Sequence, residues 1–280
     1  MEPQDKIEVF HGCVIQHGSY NDRIYLIKLA SELSNTTPLA LIQLAKERGY
    51  SKIFAKILDR YVEMFLNAGF QQEAMIPAFY SGDDDALFLG FYLTEERAVE
   101  ANPLQLEEFL KLALQKKADQ QTRRLEQGLV LRSCGPSDAT ALAQLYQQIF
   151  PSYPFPIHDP KYILETMQSH VDYFGIESNG QLIAASSAEM DLQASSVEMT
   201  DFATLPERRG HGFAQLLLAE MERAMQLKGV VTAYTIARAL SPGMNITFSK
   251  AGYQFGGRLK NNTNISGHIE SMNVWHKALG

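Results

Sequence analysis

The segment PERRGHGFAQLLLAEME, Pro206–Glu222, sets Arg208, Arg209 and two spaced glycines, Gly210 and Gly212, directly ahead of a run with the apolar spacing of an amphipathic helix. Glycines let the backbone approach a ligand closely, and the first turn of a helix leaves N–H groups unpaired under a partial positive charge. A phosphate or pyrophosphate suits such a place, and two guanidinium groups would add charge-assisted contacts to the same anion. The spacing is neither the Walker pattern nor the dinucleotide GxGxxG, so the anion belongs to neither a nucleoside triphosphate nor a nicotinamide cofactor. An ordinary exposed helix start has a similar composition, so the loop alone does not identify its ligand. Upstream, the alternation in SVEMTDFA places Glu198, Thr200 and Phe202 on one face of a strand and Val197, Met199 and Asp201 on the other.

The elements that must hold this loop can be read on either side of it. LVLRSC is a short strand, GPSD a turn and ATALAQLYQQIF a helix. A Pro- and aromatic-rich loop, PSYPFPIHDP, precedes the helix KYILETMQSH. VDYFGIES and QLIAASSAEMD flank Asn179-Gly180, a strong hairpin signal. After the loop come a helix from Gly212 to Lys228, the strand VVTAYTIAR, the helix MNITFSKAG and a closing pair of strands ending at SMNVWHKAL. In ANPLQLEEFLKLALQKKADQQTRRLEQG, Asn102 as N-cap, Pro103 at the first position and Gly128 as stop mark a helix whose polar end is a connector.

Bulk properties narrow the chemistry. A chain of 280 residues that is 45% hydrophobic can bury a sizeable core. Its formal net charge of -7 argues against a nucleic-acid surface and favours small soluble partners. Cys13 and Cys134 stand in no metal-ligand or CxxC spacing and the histidines show no paired ligand spacing, so no metal is expected. The start of the chain carries no signal-peptide pattern and no stretch is long and apolar enough to span a bilayer, so a cytoplasmic location is expected.

RGHGFA, Arg209–Ala214, resembles the R-x-x-G-x-G/A loop of the GNAT superfamily of acetyl-CoA-dependent N-acetyltransferases, and the preceding strand and NITFSKAGY, Asn245–Tyr253, are similar to the other parts of that cofactor site. The resemblance runs from Leu129 to the C-terminus with the elements in family order. It implies an α/β (α+β) fold, a mixed, mostly antiparallel sheet flanked by helices, and acetyl-CoA as cosubstrate. It also implies that Phe202 and Thr204 meet the pantetheine arm, that Gly210, Gly212, Phe213 and Ala214 supply pyrophosphate amides, with His211 inside the same loop, and that Asn245 and Phe248 lie against the cofactor. An amine of pKa near 10.4 is about 0.1% or less neutral at pH 7, so attack on a thioester needs a base. Glu198 occupies the position where some members carry theirs, and Asp201 is the reserve. Many members have a tyrosine as acid where this chain has Phe248, which cannot donate a proton. Tyr253, Tyr234, water or an unassisted thiolate, with a thiol pKa near 8.5, remain as ways to release CoA.

The N-terminal part looks like a second copy of the last part. GYSKIFAKI and the run ending in FLNAGF lie over GVVTAYTIA and FSKAGY, with Phe65 matching Phe248 and Gly69 matching Gly252. LSNTTPLALIQLAKERG, ahead of the first copy, lacks the loop glycines. The expected organisation is therefore a partial GNAT-like domain over 1–98 that binds no CoA, a helical connector over 99–127 and a catalytic domain over 128–280, although two helix–strand units can also match by chance.

Across its length the chain resembles the β-lysine N-acetyltransferases in NDRIYLIKL, IPAFYSGDDDALFLGFYL, FPSYPFPI with Asp159-Pro160, EMTDFATLPERRGHG and ESMNVWHK. This implies acetylation of the ε-amine of β-lysine to give Nε-acetyl-β-lysine, a compatible solute. Tyr153, Phe155 and Asp159 are candidates for the acceptor's amine end and Arg238 for its carboxylate. Aromatic packing under a stiff loop accounts equally for Tyr153 and Phe155, and a helix cap for Asp159. A GNAT enzyme with another acceptor, such as a protein lysine, a polyamine or an amino sugar, and a non-catalytic acyl-CoA sensor stay in competition. The partner expected is a small-molecule amine, with neither nucleic acid nor membrane, and a homodimer is left open.

Overall fold

The computed structural model describes residues 5–116 and 124–280. The N-terminal half contains β1 (Lys6–Phe10), β2 (Cys13–Gly18), β3 (Arg23–Lys28), α1 (Thr37–Arg48), β4 (Lys52–Leu58), α2 (Val62–Asn67), β5 (Gln71–Tyr80), β6 (Asp84–Tyr92), α3 (Glu95–Ala98) and α4 (Pro103–Leu114). The C-terminal half contains β7 (Leu129–Cys134), α5 (Ala139–Ile149), α6 (Pro160–Met167), β8 (Val171–Ser178), β9 (Gln181–Asp191), β10 (Ser196–Thr204), α7 (Phe213–Leu227), β11 (Thr232–Arg238), α8 (Pro242–Lys250), β12 (Gln254–Ile265) and β13 (His268–Ala278). The helix expected to run toward Gly128 ends at Leu114, and Asn102 stands at its N-cap without a side-chain hydrogen bond. Part of its expected polar end, 117–123, lies outside the described residues.

One continuous sheet runs β1-β2-β3-β4-β6-β5-β12-β13-β11-β10-β9-β8-β7. Read outward from the β5–β12 contact, the two halves have mirrored order. Each has a parallel pair joined by a helix, β3 with β4 and β10 with β11, and the remaining neighbours are antiparallel. The Asn179-Gly180 turn between β8 and β9 has both residues at positive φ, 50° and 80°, as a two-residue hairpin requires.

The two halves join where Gly257 pairs with Ala74. A Cβ at Gly257 would lie 2.3 Å from the Glu73 carbonyl oxygen and 2.6 Å from the Ala74 Cα, and the residue has φ +141°, so only glycine allows this approach. Beyond it β12 is irregular, and side chains of the N-terminal half bind its backbone. Lys52 Nζ donates to the Lys260 carbonyl at 2.7 Å and Arg97 Nε to that of Asn261 at 2.7 Å. The Asn264 N–H donates to Asn21 Oδ1 at 2.8 Å. Lys52, itself fully buried, also pairs with Glu73 at 2.8 Å.

Strand alternation distributes the core. In β3, Ile24 and Leu26, and in β4, Ile53, Ala55 and Ile57, pack with Leu41, Ile42 and Ala45 of α1. The opposite face of the same strands carries Arg23, Tyr25, Phe54 and Lys56. Val197 and Met199 of β10 join Leu217, Leu218 and Met221 of α7 in the C-terminal core. A third cluster, with Phe54 and Phe88 from one half and Tyr234, Leu259, Met272 and Val274 from the other, bridges the halves.

Candidate active site

β10 and β11 are paired only from Ser196–Glu198 to Thr232–Tyr234. Past that point β10 stays with β9 and β11 with β13, so the two strands part and leave a gap in the sheet. A cavity of about 1280 Å³ opens there. The parting follows from a bulge: the β9 register shifts between Thr200 and Ala203, and Asp201 takes φ +54°. The bulge overrides the simple alternation. Asp201, expected on the opposite face, lines the same cavity as Glu198.

At one end lie the glycine loop and the start of α7. Gly210 and Gly212 have φ +86° and +76°, and Gly212 is an N-cap without a side-chain cap. The Gln215 and Leu216 amides return to the Gly212 carbonyl at 3.1 and 3.2 Å, so the Phe213 and Ala214 amides ahead of them are available to a ligand. Arg208, Arg209, Gly210, Gly212, Phe213 and Ala214 all line the cavity, together with Phe202, Thr204 and Phe248. This uncapped start of a long helix fits a pyrophosphate.

Two residues expected here are elsewhere. His211 lies off the cavity wall, its Nδ1 2.7 Å from Glu126. Asn245 is fully buried and spent inside the protein: its Nδ2 donates to the Arg238 and Ser241 carbonyls, and its Oδ1 accepts from Asn273 Nδ2 at 2.8 Å and Trp275 Nε1 at 2.9 Å. With its hydrogen-bonding capacity met, Asn245 shapes the start of α8 and is not among the residues that line the cavity.

Glu198 stands where the strands part, opposite Tyr234 in the register. Burial pushes its carboxyl up to about 7, Glu189 pushes it further and Lys56 pulls it back. It can thus exchange a proton near neutral pH. Asp201 is also raised by burial, but its oxygens are engaged by the Tyr153 hydroxyl and, at 2.5 Å, by the Ser187 hydroxyl. That engagement suits a positioning carboxylate.

Tyr153 and Phe155 line the cavity, whereas Asp159 does not. It caps α6, accepting the Lys161 N–H at 2.9 Å. Arg238 reaches the cavity with its guanidinium held by the fully buried Glu270, at 2.9 and 2.6 Å. Of the phenols weighed as acids, Tyr234 lines the cavity and Tyr253 does not; Tyr253 packs behind Phe248, ring centroids 5.1 Å apart.

The wall read least well from the sequence comes from the N-terminal half: Arg23, Tyr25, Phe54 and Lys56. The alternation in RIYLIK and KIFAKIL, which sets cationic and aromatic residues against aliphatic ones, was the available signal. On the facing side, Glu189 and Asp191 bring the negative charge. Among the described residues, no group of three or more His, Cys, Asp or Glu is placed to hold a metal ion, and no helix is long and apolar enough to cross a membrane.

The parted parallel strands and the uncapped helix behind a glycine loop define an acyl-CoA-dependent transferase site, and the acetyltransferase (GNAT) family model matches residues 140–242. The chain belongs to this family and is an acetyl-CoA-dependent N-acetyltransferase. It is 40% identical to the β-lysine N(6)-acetyltransferase of Methanococcus maripaludis over 273 residues, 98% of each chain. It is also 35% identical to the β-lysine N(6)-acetyltransferase of Methanosarcina mazei over 75% of this chain and 85% of that one. To the N-acetyltransferase YodP of Bacillus subtilis it is 30% identical over 95% and 96% of the two chains.

Proposed function

We propose that the enzyme transfers the acetyl group of acetyl-CoA to the ε-amine of β-lysine, giving Nε-acetyl-β-lysine. The observation that carries this reading is the span of the similarity to the Methanococcus β-lysine enzyme, 98% of each chain, which takes in the N-terminal strands that line the cavity as well as the CoA loop. The mixed lining supports it, because acids around Glu198 and cations across from them suit an acceptor bearing both ammonium and carboxylate groups.

In the proposed reaction the loop amides and Arg208 and Arg209 bind the pyrophosphate, and the pantetheine arm lies between the parted strands near Phe202 and Thr204. Glu198 takes a proton from the ε-ammonium, directly or through water. The amine nitrogen then attacks the thioester carbonyl, the C–N bond forms, the nitrogen gives up its second proton to solvent, and the C–S bond breaks. CoA leaves as thiolate and is protonated by solvent or by Tyr234, the phenol opposite Glu198. Asp201 orients Tyr153. The product has lost one positive charge and is a net-neutral zwitterion, which suits a compatible solute of the cytoplasm. We further propose that 1–98 is a partial GNAT-like copy without a CoA loop, 99–127 a helical connector and 128–280 the catalytic domain; the mirrored strand order supports this division.

The test follows CoA release with a thiol reagent when the purified enzyme is given acetyl-CoA and, separately, β-lysine, α-lysine, spermidine or a lysine peptide. Turnover with β-lysine at a kcat/KM at least tenfold above the others is expected. Inert β-lysine alongside turnover of another amine would overturn the acceptor.

A further inference from the structure

Arg23 begins β3, on the face turned away from α1, and only 5% of its surface is exposed. Among the described residues no carboxylate pairs with it. Its Nη1 donates to the Asn262 carbonyl and, at 3.2 Å, to Thr263 Oγ1, while its Nε is buried without any partner. Burial lowers the guanidinium to about 10, so it remains cationic at neutral pH. The Asp5 and Glu73 carboxylates act on it only through space, without an ion pair, so burial dominates; a buried cation lacking a paired anion is costly, and the cost is relieved when one arrives. The other deeply placed arginines already have theirs: Arg97 faces Asp22 at 3.5 Å, and Arg258 faces Glu107 at 3.0 Å and Glu100 at 3.6 Å.

The position of Arg23 suggests which anion it awaits. It lines the same cavity as Glu198 and the CoA loop. Its guanidinium carbon lies 5.4 Å from the ring centre of Tyr25 and 5.6 Å from that of Phe54, two rings that are stacked obliquely with centroids 4.7 Å apart. Tyr25 in turn feels the charges of both Glu198 and Arg23 and lines the same cavity as both. Lys56, the neighbouring cation, faces Glu198, Asp191 and Glu189, whose charges partly offset its burial. Arg238 is neutralised by Glu270, and Arg208 and Arg209 stand at the pyrophosphate loop. Beside Arg23, the buried Asn262 side chain leaves its Oδ1 without a donor. An orphaned cationic donor and an orphaned acceptor side by side match an amino acid's carboxylate and its neighbouring ammonium.

We infer that the acceptor's recognition end lies at the seam between the halves: Arg23 of β3, from the N-terminal half, binds the carboxylate of the amino-acid acceptor, and Asn262 of β12, from the C-terminal half, accepts from its non-reacting ammonium. This rests on the acceptor reading given above. It assigns the half that lacks a CoA loop a part in substrate selection, with the acceptor lying across the seam between the halves, its ε-amine at Glu198 and its carboxylate at β3.

The experiment compares β-lysine with its decarboxylated counterpart, a diamine of otherwise identical skeleton, in the full-length wild type, Arg23→Met, Arg23→Lys and Thr263→Val. The wild type should favour β-lysine by about 100-fold in kcat/KM, and Arg23→Met should remove that preference by raising the KM for β-lysine while leaving the diamine within about threefold. Arg23→Lys should recover part of it. Thr263→Val, close to isosteric, removes one group that fixes the guanidinium and should raise the KM for β-lysine alone by about threefold to tenfold; this variant decides the matter if Arg23→Met does not fold. Equal losses on both acceptors in the folded variants, or an unchanged preference, would overturn the inference and leave the acceptor standing. If the wild type ignores β-lysine but acetylates another carboxylate-bearing amine, the proposed acceptor falls and the anchor is judged on that amine. Activity confined to amines without a carboxylate overturns both.

Discussion

The β3–α1–β4 unit of the N-terminal half and the β10–α7–β11 unit of the C-terminal half share an outline, a strand and a parallel strand joined by a helix, yet they end in different chemistry. β3 stops at Lys28, two residues beyond its last partner on β4, whereas β10 continues from Met199 to Thr204 without a partner on the β11 side. α7 starts at a left-handed Gly212, and α1 starts behind Thr36, which has ordinary right-handed backbone at φ -89°. The opening thus comes from a bulge at Asp201 and two glycines at positive φ. A topology can be kept while the ligand site is gained or lost through a handful of local backbone choices. What the N-terminal unit keeps is its face: Arg23, Tyr25 and Lys56 project into the cavity that the other half opens.

The sharpest way to break this contrast is at Glu198, for which the N-terminal half has no counterpart on the cavity wall. Glu198→Gln should lower kcat by about a thousandfold, within the range for removal of a general base. With its pKa raised to about 7, Glu198 is protonated and idle below that value and ionised above it. The wild-type kcat/KM should therefore rise with unit slope as pH approaches about 7, and this limb should be absent from the variant. Retention of the limb in Glu198→Gln would move the base to another group, Asp201 first.

The seam is the next place to test. Gly257→Ala forces a Cβ onto the Ala74 backbone, 2.6 Å from its Cα, in a conformation of φ +141° that alanine rarely adopts. Destabilisation of about 2–4 kcal/mol is expected, read as a drop of about 5–10 °C in melting temperature. Because the cavity draws on both halves, the KM for the acceptor should rise more than that for acetyl-CoA. Equal effects on both would mean that the halves act as one block during binding.

Much of this was legible in local sequence. Asn179-Gly180 specified its hairpin, and the glycine loop followed by an apolar period specified α7 and its exposed amides, because turn and cap preferences depend on only a few neighbouring residues. Glu198 was singled out by its position in the family resemblance, and the regular alternation of its strand up to that point put it on the face of Phe202. The alternation failed three residues later, since a bulge inserts a residue without any composition that announces it. Asn245 looked like a ligand contact by position, but Asn273 and Trp275, both on β13, consume its acceptor, and this is visible only once β13 is docked. The same holds for Arg23. The alternation in RIYLIK was there to read, but the arginine's lack of an ion-pair partner among the described residues is a property of the whole fold, fixed by where the carboxylates of other elements come to lie.

The finest test exchanges the local backbone choices between the halves. At φ +76° a β-branched side chain is strongly disfavoured, so Gly212→Val should tilt the Phe213 and Ala214 amides away from the pyrophosphate position. A cost of about 1–2 kcal/mol corresponds to a rise of roughly fivefold to thirtyfold in the KM for acetyl-CoA, with kcat at saturation little changed. Asn35→Gly, placed before α1 where the N-terminal half lacks the loop, should leave the KM for acetyl-CoA within about twofold, because one glycine there supplies neither parted strands nor a vacant first turn facing the cavity. Isothermal titration of acetyl-CoA into the wild type and both variants reads the difference directly. A Gly212→Val enzyme that bound as tightly as the wild type would show that Arg208 and Arg209 hold the pyrophosphate by charge alone, and the contrast between the two helix starts would then lie in the arginines and not in the backbone.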